Sequence, residues 1–426
     1  MFRRAESVRI MANSSAGQKK ARTKFRPFLM NHNLLLESGS KDPFLLDEAL
    51  LKLNGNTGNG YITYALSRFI DFDPAVGLAN MFDRSALGTD VVEYINSEFS
   101  HVLLVLQDQL SAGANELNWD QLYRFVAKIE RPIVAFSVGS NAISQSPREI
   151  RASLSRPMVK FYRLLASKSV SLGVRGAITA DLMSLLGIKN IAAVGCPTWY
   201  EAGPKRVVPY PELDRTKRIV ATGLFSHFET SNIDYILQSE AAVLRATFES
   251  DITKPVHDDF SNISYPFYYP CFARAFFRGR IFLDPSYPDW KARFGPDVSF
   301  ACGTRVHGSI IAMNSNVPAL CTAGDTRSFE MADLLKFPLK AGHCAADSSL
   351  EELYEMADPT AANSAYSGLY NAFCEWLVSC GLKLKRPKRT HEPGWEYGKL
   401  LPLDDFQRSD RFMGLFTASK AIGEIG

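Results

Sequence analysis

The sequence lacks several features that would assign it to a specialised class of protein. Its seven cysteines are scattered and form no CxxC pair, which argues against a zinc site or a disulfide framework. No uninterrupted apolar run reaches the length of about 18 residues that a transmembrane helix needs. We therefore expect buried thiols in a reducing compartment and a cytoplasmic protein. The alternative is a cytoplasmic protein that contacts the inner face of a membrane.

A strong net charge is also lacking. The formal charge is +3 over 426 residues, and the hydrophobic fraction of 46% is that of an ordinary globular protein, so nothing favours a nucleic-acid partner. Basic residues are concentrated at the start, where residues 1–26 contain eight Lys or Arg and one Glu. This arm has no apolar centre and therefore does not resemble a secretory signal. We interpret residues 1–27 as a disordered, solvated arm, with peripheral contact to a membrane surface as the alternative.

No short-period repeat is present, but short apolar runs alternate with helical patterns along the chain. This alternation predicts parallel sheets with helices on both faces. The predicted strands are 101–108, 132–140, 169–175, 190–197, 218–226, 297–303 and 317–323. The predicted helices are 120–130, 147–168, 176–188, 232–250, 305–315, 328–337, 349–357 and 366–380.

The length of the chain and a break in this alternation predict two domains. A chain of 426 residues is too long for one ordinary core. The stretch 201–217 contains three prolines and mixed charge, which is typical of a linker. We expect an amino-terminal Rossmann-like domain at 28–200, a carboxyl-terminal one at 218–390, and a tail at 391–426 that packs back on the first domain. A ligand would then bind in the cleft, at the carboxyl ends of the strands.

The stretch "GTRVHGSIIAMNSNVPAL" places two polar residues at a predicted strand-to-helix junction. The start of a helix presents free N–H groups and a positive dipole end, which together attract an anion. Arg305 would add a forked cation, His307 could transfer a proton near neutral pH, and Gly308 would allow a close approach. The plainer alternative is an Arg–carboxylate surface pair with a histidine that caps the helix.

This stretch resembles the carboxyl-terminal signature of the polysaccharide pyruvyl transferase family, an Arg-x-His-Gly that leads a helix of small and apolar residues. The following "AGDTRSFEMADLLKFP" is similar to an Asp-x-Arg segment of that family. In the first half, "NGNTGNGYITYAL" and "SLGVRGAITADLMSLLGIKNIAAVGCPTWY" resemble the family's Asn/Gly-rich turn and its Val-Arg to Gly-Cys-Pro segment. These matches run in order from about residue 54 to 338.

The resemblance implies a GT-B-like fold of two Rossmann-like domains that face a cleft. It also implies transfer of an enolpyruvyl-derived unit from phosphoenolpyruvate onto two hydroxyls of a sugar, which gives a cyclic pyruvate ketal. The expected acceptor is a glycan or lipid-linked sugar of an exopolysaccharide or cell-surface precursor. Phosphoenolpyruvate is the co-substrate, and neither a metal nor a further cofactor is expected.

By the same resemblance, Arg305 and His307 would bind the phosphate and carboxylate of phosphoenolpyruvate, and His307 is the candidate acid. Arg175 would face the same anion from the first domain, with a surface salt bridge as its alternative. Asp325 and Arg327 are substrate-binding candidates, or else they cap a helix and pair with each other. The remaining substrate-binding candidates are Gly308, Asn56, Asn59, Ser226 and His227. The alternative for Asn56 and Asn59 is a role in the turn and helix start alone, and the alternative for His227 is a structural role.

Two rival functions stay open at this point. One is a GT-B glycosyltransferase with a nucleotide-sugar donor, and the other is a non-catalytic protein that binds a glycan or an anion. Protection by phosphoenolpyruvate, protection by a nucleoside diphosphate, and binding without turnover distinguish the three.

Overall fold

Two sheets of six parallel strands form the framework of the protein. The computed structural model describes residues 24–31, 46, 50, 53, 55–73, 76–223, 232–248, 270–342, 348–385, 404 and 407–410. Parallel sheets need both faces covered, and helices follow most of the strands here. This architecture confirms the predicted fold class of two Rossmann-like, GT-B-like α/β units.

The first sheet has the order β2-β1-β3-β4-β5-β6. Its strands are β1 Pro27–Met30, β2 Gly77–Leu78, β3 His101–Val105, β4 Ile133–Val138, β5 Leu172–Val174 and β6 Ile191–Ala193. The helices in this part of the chain are α1 Thr57–Phe69, α2 Thr89–Glu98, α3 Trp119–Ala127, α4 Pro147–Ser153, α5 Arg156–Ser167 and α6 Ala177–Leu185, with short 3-10 turns at Arg84–Ala86, Ala112–Ala114 and Pro197–Tyr200.

The second sheet has the order β12-β11-β10-β7-β8-β9. Its strands are β7 Arg218–Thr222, β8 Ile233–Ile236, β9 Ile281–Phe282, β10 Val298–Gly303, β11 Ala319–Ala323 and β12 Leu339–Ala341. The helices are α7 Ala241–Phe248, α8 Pro270–Phe277, α9 Tyr287–Ala292, α10 Val306–Asn314, α11 Thr326–Leu335, α12 Leu350–Glu355 and α13 Thr360–Ser379.

Strand β3 shows why these apolar runs form buried strands. Its side chains alternate between faces, so Leu103 and Val105 join one hydrophobic cluster and Val102 and Leu104 join another. Both faces are apolar because helices cover both. The apolar run that predicted this strand is therefore buried on both faces of the sheet.

Two predicted helices differ in the structure. The helix predicted over 147–168 is interrupted, because Ser155 caps a new helix and Pro157 follows in its first turn, where proline disfavours a helical residue before it. The helix predicted over 232–250 is wrong for its first part. There β8 inserts between β7 and β9, and the buried carboxylate of Asp234 pairs with Arg218 and Arg280.

The chain crosses between the sheets twice. Residues 201–217 form no helix or strand, but Arg206 in this segment is buried, with its guanidinium 3.8 Å from the ring centroids of both Trp199 and Tyr366. Helix α13 then returns to the first sheet, where Trp376 meets Phe136 edge-on. We call the part of the chain that forms the first sheet the first half and the part that forms the second sheet the second half. The two halves thus share buried aromatic contacts.

The predicted basic arm lies outside the described residues before residue 24, and so does most of the predicted tail. The described cysteines are free thiols. Within the described ranges, we find no helix that combines the length and the apolar composition needed to span a bilayer.

Candidate functional site

The predicted junction after β10 lies where the strand order of the second sheet reverses, between β7 and β10. Ligands of open α/β sheets bind at such a reversal, outside the carboxyl ends of the strands. Arg305 is the N-cap of α10, and its backbone N–H donates to the Thr222 carbonyl at the end of β7 (3.2 Å). The strand-to-helix position predicted for Arg305 and His307 is therefore confirmed.

The guanidinium of Arg305 is paired with a carboxylate. Its Nε and Nη2 lie 2.7 Å and 2.6 Å from Oε1 of Glu240, a residue that precedes α7. The Glu240 side chain is only 7% exposed, whereas that of Arg305 is 30% exposed. The predicted Arg–carboxylate alternative is thus present, but as a largely buried pair at the cleft rather than on open surface.

His307 lies at the junction of the two halves. Its Nε2 is 3.7 Å from Sγ of the buried Cys196, and its ring meets Tyr61 edge-on at a centroid distance of 6.2 Å. Burial, followed by the charges of Arg175 and Arg327, holds the pKa of His307 well below its ordinary value of 6.5. The imidazole is therefore neutral at pH 7.

The Asn/Gly-rich turn begins α1, as predicted. Asn56 is the N-cap and accepts from the Gly58 N–H at 2.8 Å, while the Asn59 side chain donates to the Leu53 carbonyl at 3.2 Å. A Cβ placed on Gly58 would lie 2.5 Å from Nδ1 of His307. The turn role of both asparagines is confirmed, and the start of α1 lies directly against His307.

Arg175 follows β5 and is buried, with 1% of its surface exposed, which excludes a surface salt bridge. Its Nε donates to the Ser137 carbonyl at 3.1 Å, and its Nη1 has no hydrogen-bond partner among the described residues. Burial lowers the pKa of Arg175. A buried guanidinium without a carboxylate partner is costly unless an anion binds to it.

Arg327 and Asp325 lie at the start of α11. The alternative predicted for them, a helix cap and a mutual ion pair, is present. Asp325 caps the helix and accepts from the Ser328 N–H at 2.8 Å. Arg327 pairs with Asp325 at 2.7 Å and with Asp108 of the other half at 2.8 Å. The second pair joins the two halves at the cleft.

A ligand-binding role stays a prediction for the three remaining predicted residues, Gly308, Ser226 and His227. Gly308 lies against Thr222, because a Cβ there would be 2.5 Å from the Thr222 Cβ, so its close neighbour is protein. Ser226 and His227 lie outside the described residues.

Several residues of this site are not predicted from the sequence. Gln238 and Glu240 follow β8, and they were hidden because their segment was predicted as one helix. The β-branched and aromatic residues of β8, "IDYI", are a weak signal of a strand, but Asp234 interrupts the apolar run, and the apolar pattern of the whole segment is that of one helix. Cys196 and Glu330 were missed because their partners are distant in sequence.

Glu330 joins the two halves at the start of α6. Its oxygens accept from the Thr179 N–H (2.8 Å) and from Thr179 Oγ1 (2.7 Å). Burial raises the pKa of Glu330 to about 7. This carboxylate therefore titrates near neutral pH at the interface between the halves.

The arrangement combines two helix starts, a neutral imidazole and a buried guanidinium whose Nη1 makes no hydrogen bond to a described residue. These groups suit a small, multiply charged anion and a proton transfer. Among the described residues, no group of three or more His, Cys, Asp or Glu side chains has the geometry to hold a metal ion.

Comparisons with solved structures give distant likenesses. An S. aureus MnaA–UDP co-structure is 10% identical, with a TM-score of 0.39 over 83% of this chain and 91% of that chain. A UDP-N-acetylglucosamine 2-epimerase is 10% identical, with a TM-score of 0.39 over 87% of this chain and 100% of that chain. The glycosyltransferase SnogD from Streptomyces nogalater is 10% identical, with a TM-score of 0.30 over 83% and 99%.

A search of curated protein sequences found no match. A family model, described as polysaccharide pyruvyl transferase, matches residues 56–326. This range includes the start of α1, the buried Arg175, Cys196, and the Arg305–His307 turn, and it covers more than half of the chain. The chain belongs to the polysaccharide pyruvyl transferase family.

Proposed function

We propose that this protein transfers the enolpyruvyl-derived unit of phosphoenolpyruvate to a sugar of an exopolysaccharide or cell-surface glycan precursor and closes it to a pyruvate ketal. The observation that carries the proposal is Arg175, a buried cation whose Nη1 has no partner among the described residues. Its charge acts on His307, a neighbour from the other half. A small donor with a phosphate and a carboxylate fits such a site.

The reaction needs a proton on the donor. Protonation of the methylene carbon makes the adjacent carbon electrophilic, and a sugar hydroxyl attacks it with loss of the hydroxyl proton. Inorganic phosphate then leaves with the electrons of the C–O bond, which leaves an oxocarbenium carbon. A second hydroxyl attacks this carbon and closes the ring, and its proton passes to the released phosphate. His307 is the proposed acid, and Arg175 and Arg305 are the proposed partners of the negative charge.

The low pKa of His307 is compatible with this role. Burial is its main cause, and the charges of Arg175 and Arg327 lower the pKa further. A bound donor would offset those two charges, which would raise the pKa of the imidazole and favour its protonated form. Proton donation would thus be coupled to donor binding.

Calorimetric titration with phosphoenolpyruvate and, separately, with UDP tests the proposal. Wild type should bind phosphoenolpyruvate, and Arg175→Met should weaken it by about 100-fold, because a charge-assisted pair is lost. Arg206→Met is the matched control, since Arg206 is also buried without a carboxylate but is stacked between aromatic rings. It should lose stability and keep its affinity.

Two results would reject the proposal. Binding of UDP but not of phosphoenolpyruvate by the wild type would favour a glycosyltransferase with a nucleotide-sugar donor. Binding of phosphoenolpyruvate without release of phosphate in the presence of glycan acceptors would favour a non-catalytic binding protein.

A further inference from the structure

The side chain of Gln238 lies inside the candidate site, where its amide nitrogen has no partner in the described part of the chain. The residue is 1% exposed, and Nε2 makes no hydrogen bond to any described residue. Its backbone carbonyl accepts from the Thr57 N–H at 3.2 Å, at the start of α1. Gln238 therefore belongs to the second half by sequence and contacts the first half through its backbone.

Two glycines enclose this amide. A Cβ on Gly58 would lie 3.0 Å from Gln238 Oε1, and a Cβ on Gly308 would lie 3.1 Å from Gln238 Nε2. Gly58 and Gly308 belong to the first turns of α1 and α10. The amide thus lies between the starts of two helices, which both present N–H groups and a positive dipole end.

A buried amide donor without a partner destabilises the folded protein, so its retention needs a reason. A second polar atom nearby is in the same situation. The Oγ1 of Thr222, a residue that contacts Gly308, is buried and makes no hydrogen bond within the described residues. Two donors without partners beside two helix starts point to a ligand with anionic oxygens.

We propose that Gln238 is a substrate-binding residue whose amide N–H donates to an anionic oxygen of phosphoenolpyruvate. This inference rests on the proposed function, because it assumes that the donor binds between α1 and α10.

The test compares stability and affinity in Gln238→Met, which keeps the length of the side chain and removes its polar atoms. Thermal unfolding should occur at the same or a higher temperature, because an unsatisfied buried donor is gone. Affinity for phosphoenolpyruvate should fall by about ten-fold or more. Gln238→Glu, which has nearly the same shape and adds a negative charge, should weaken binding further.

Tyr162→Phe is the matched control, because the Tyr162 hydroxyl is also buried and unpartnered but lies in the core beside Trp119. It should leave affinity unchanged. Affinity within about two-fold of wild type in both Gln238 variants would overturn this inference alone. Failure of the wild type to bind phosphoenolpyruvate would overturn the proposed function together with it.

Discussion

Glu240 binds Arg305 with one carboxylate oxygen and the backbone of the two preceding residues with the other. Oε1 lies 2.7 Å from Arg305 Nε, and Oε2 accepts from the backbone N–H groups of Gln238 (2.7 Å) and Ser239 (3.0 Å). Both oxygens are therefore acceptors, a pattern that only a carboxylate satisfies. The pair holds the guanidinium at the reversal point of the second sheet.

Replacement of Glu240 by Gln should weaken phosphoenolpyruvate binding by about ten-fold, because an amide supplies one acceptor and leaves Arg305 or the turn at 238–239 without its partner. Calorimetry measures the change. Glu351→Gln is the control, since Glu351 pairs with Arg215 on exposed surface. Unchanged binding in Glu240→Gln would show that the pair does not orient Arg305 for the donor, and tighter binding would show that Glu240 competes with the donor for Arg305.

Gly58→Ala should disable the site while the fold persists. The new Cβ would be 2.5 Å from His307 Nδ1, so the imidazole must move. We expect phosphate release from phosphoenolpyruvate to slow by about 100-fold, the cost of misplacing a reacting group by about 1 Å.

Gly368→Ala is the matched helical control for that experiment. A Cβ at Gly368, within α13, meets nothing within 4 Å. This variant should gain about 0.5–1 kcal/mol in stability from the reduced entropy of the unfolded chain and keep full activity. Equal activities in the two variants would contradict the predicted contact between Gly58 and His307.

Donor binding should be accompanied by proton uptake at His307. The pKa of this imidazole lies well below 6.5, chiefly through burial and then through the charges of Arg175 and Arg327. An anionic donor reverses the effect of those charges and raises the pKa. At a pH of about 7, titrations in buffers of different ionisation enthalpy should show more proton uptake by the wild type than by His307→Gln. Equal uptake would exclude His307 as the group that is protonated.

Stability should depend on the charge state of Glu330. Its pKa is raised from 4.5 to about 7 in the folded protein, so the folded state holds the proton more tightly than the unfolded chain does. This contribution is complete below pH 4.5 and is lost as the pH rises to about 7. Denaturant unfolding across this range should show a flatter pH dependence in Glu330→Gln than in the wild type. Parallel curves would show that Glu330 does not titrate in this range.

Much of the site was predictable because it lies in local motifs. Arg305 and His307 follow an apolar run and precede a helix, and Asn56 has the side chain of a helix N-cap, so short segments are enough to place them. Gln238 was not predictable in this way. Its segment has a strand followed closely by a helix, and the combined apolar pattern is that of one longer helix.

By itself the sequence determined the alternation of strands and helices, the family, and the residues that begin α1 and α10. These follow from periodicity and short motifs, which depend on neighbours within a few residues. Only the tertiary structure decided that Arg305 is paired with Glu240, that His307 lies between Gly58 and Cys196, and that Arg175 is buried with an Nη1 that makes no hydrogen bond to a described residue. Burial and pairing depend on side chains from distant segments that meet only when the two sheets pack together, and they set the charge of each group in the cleft.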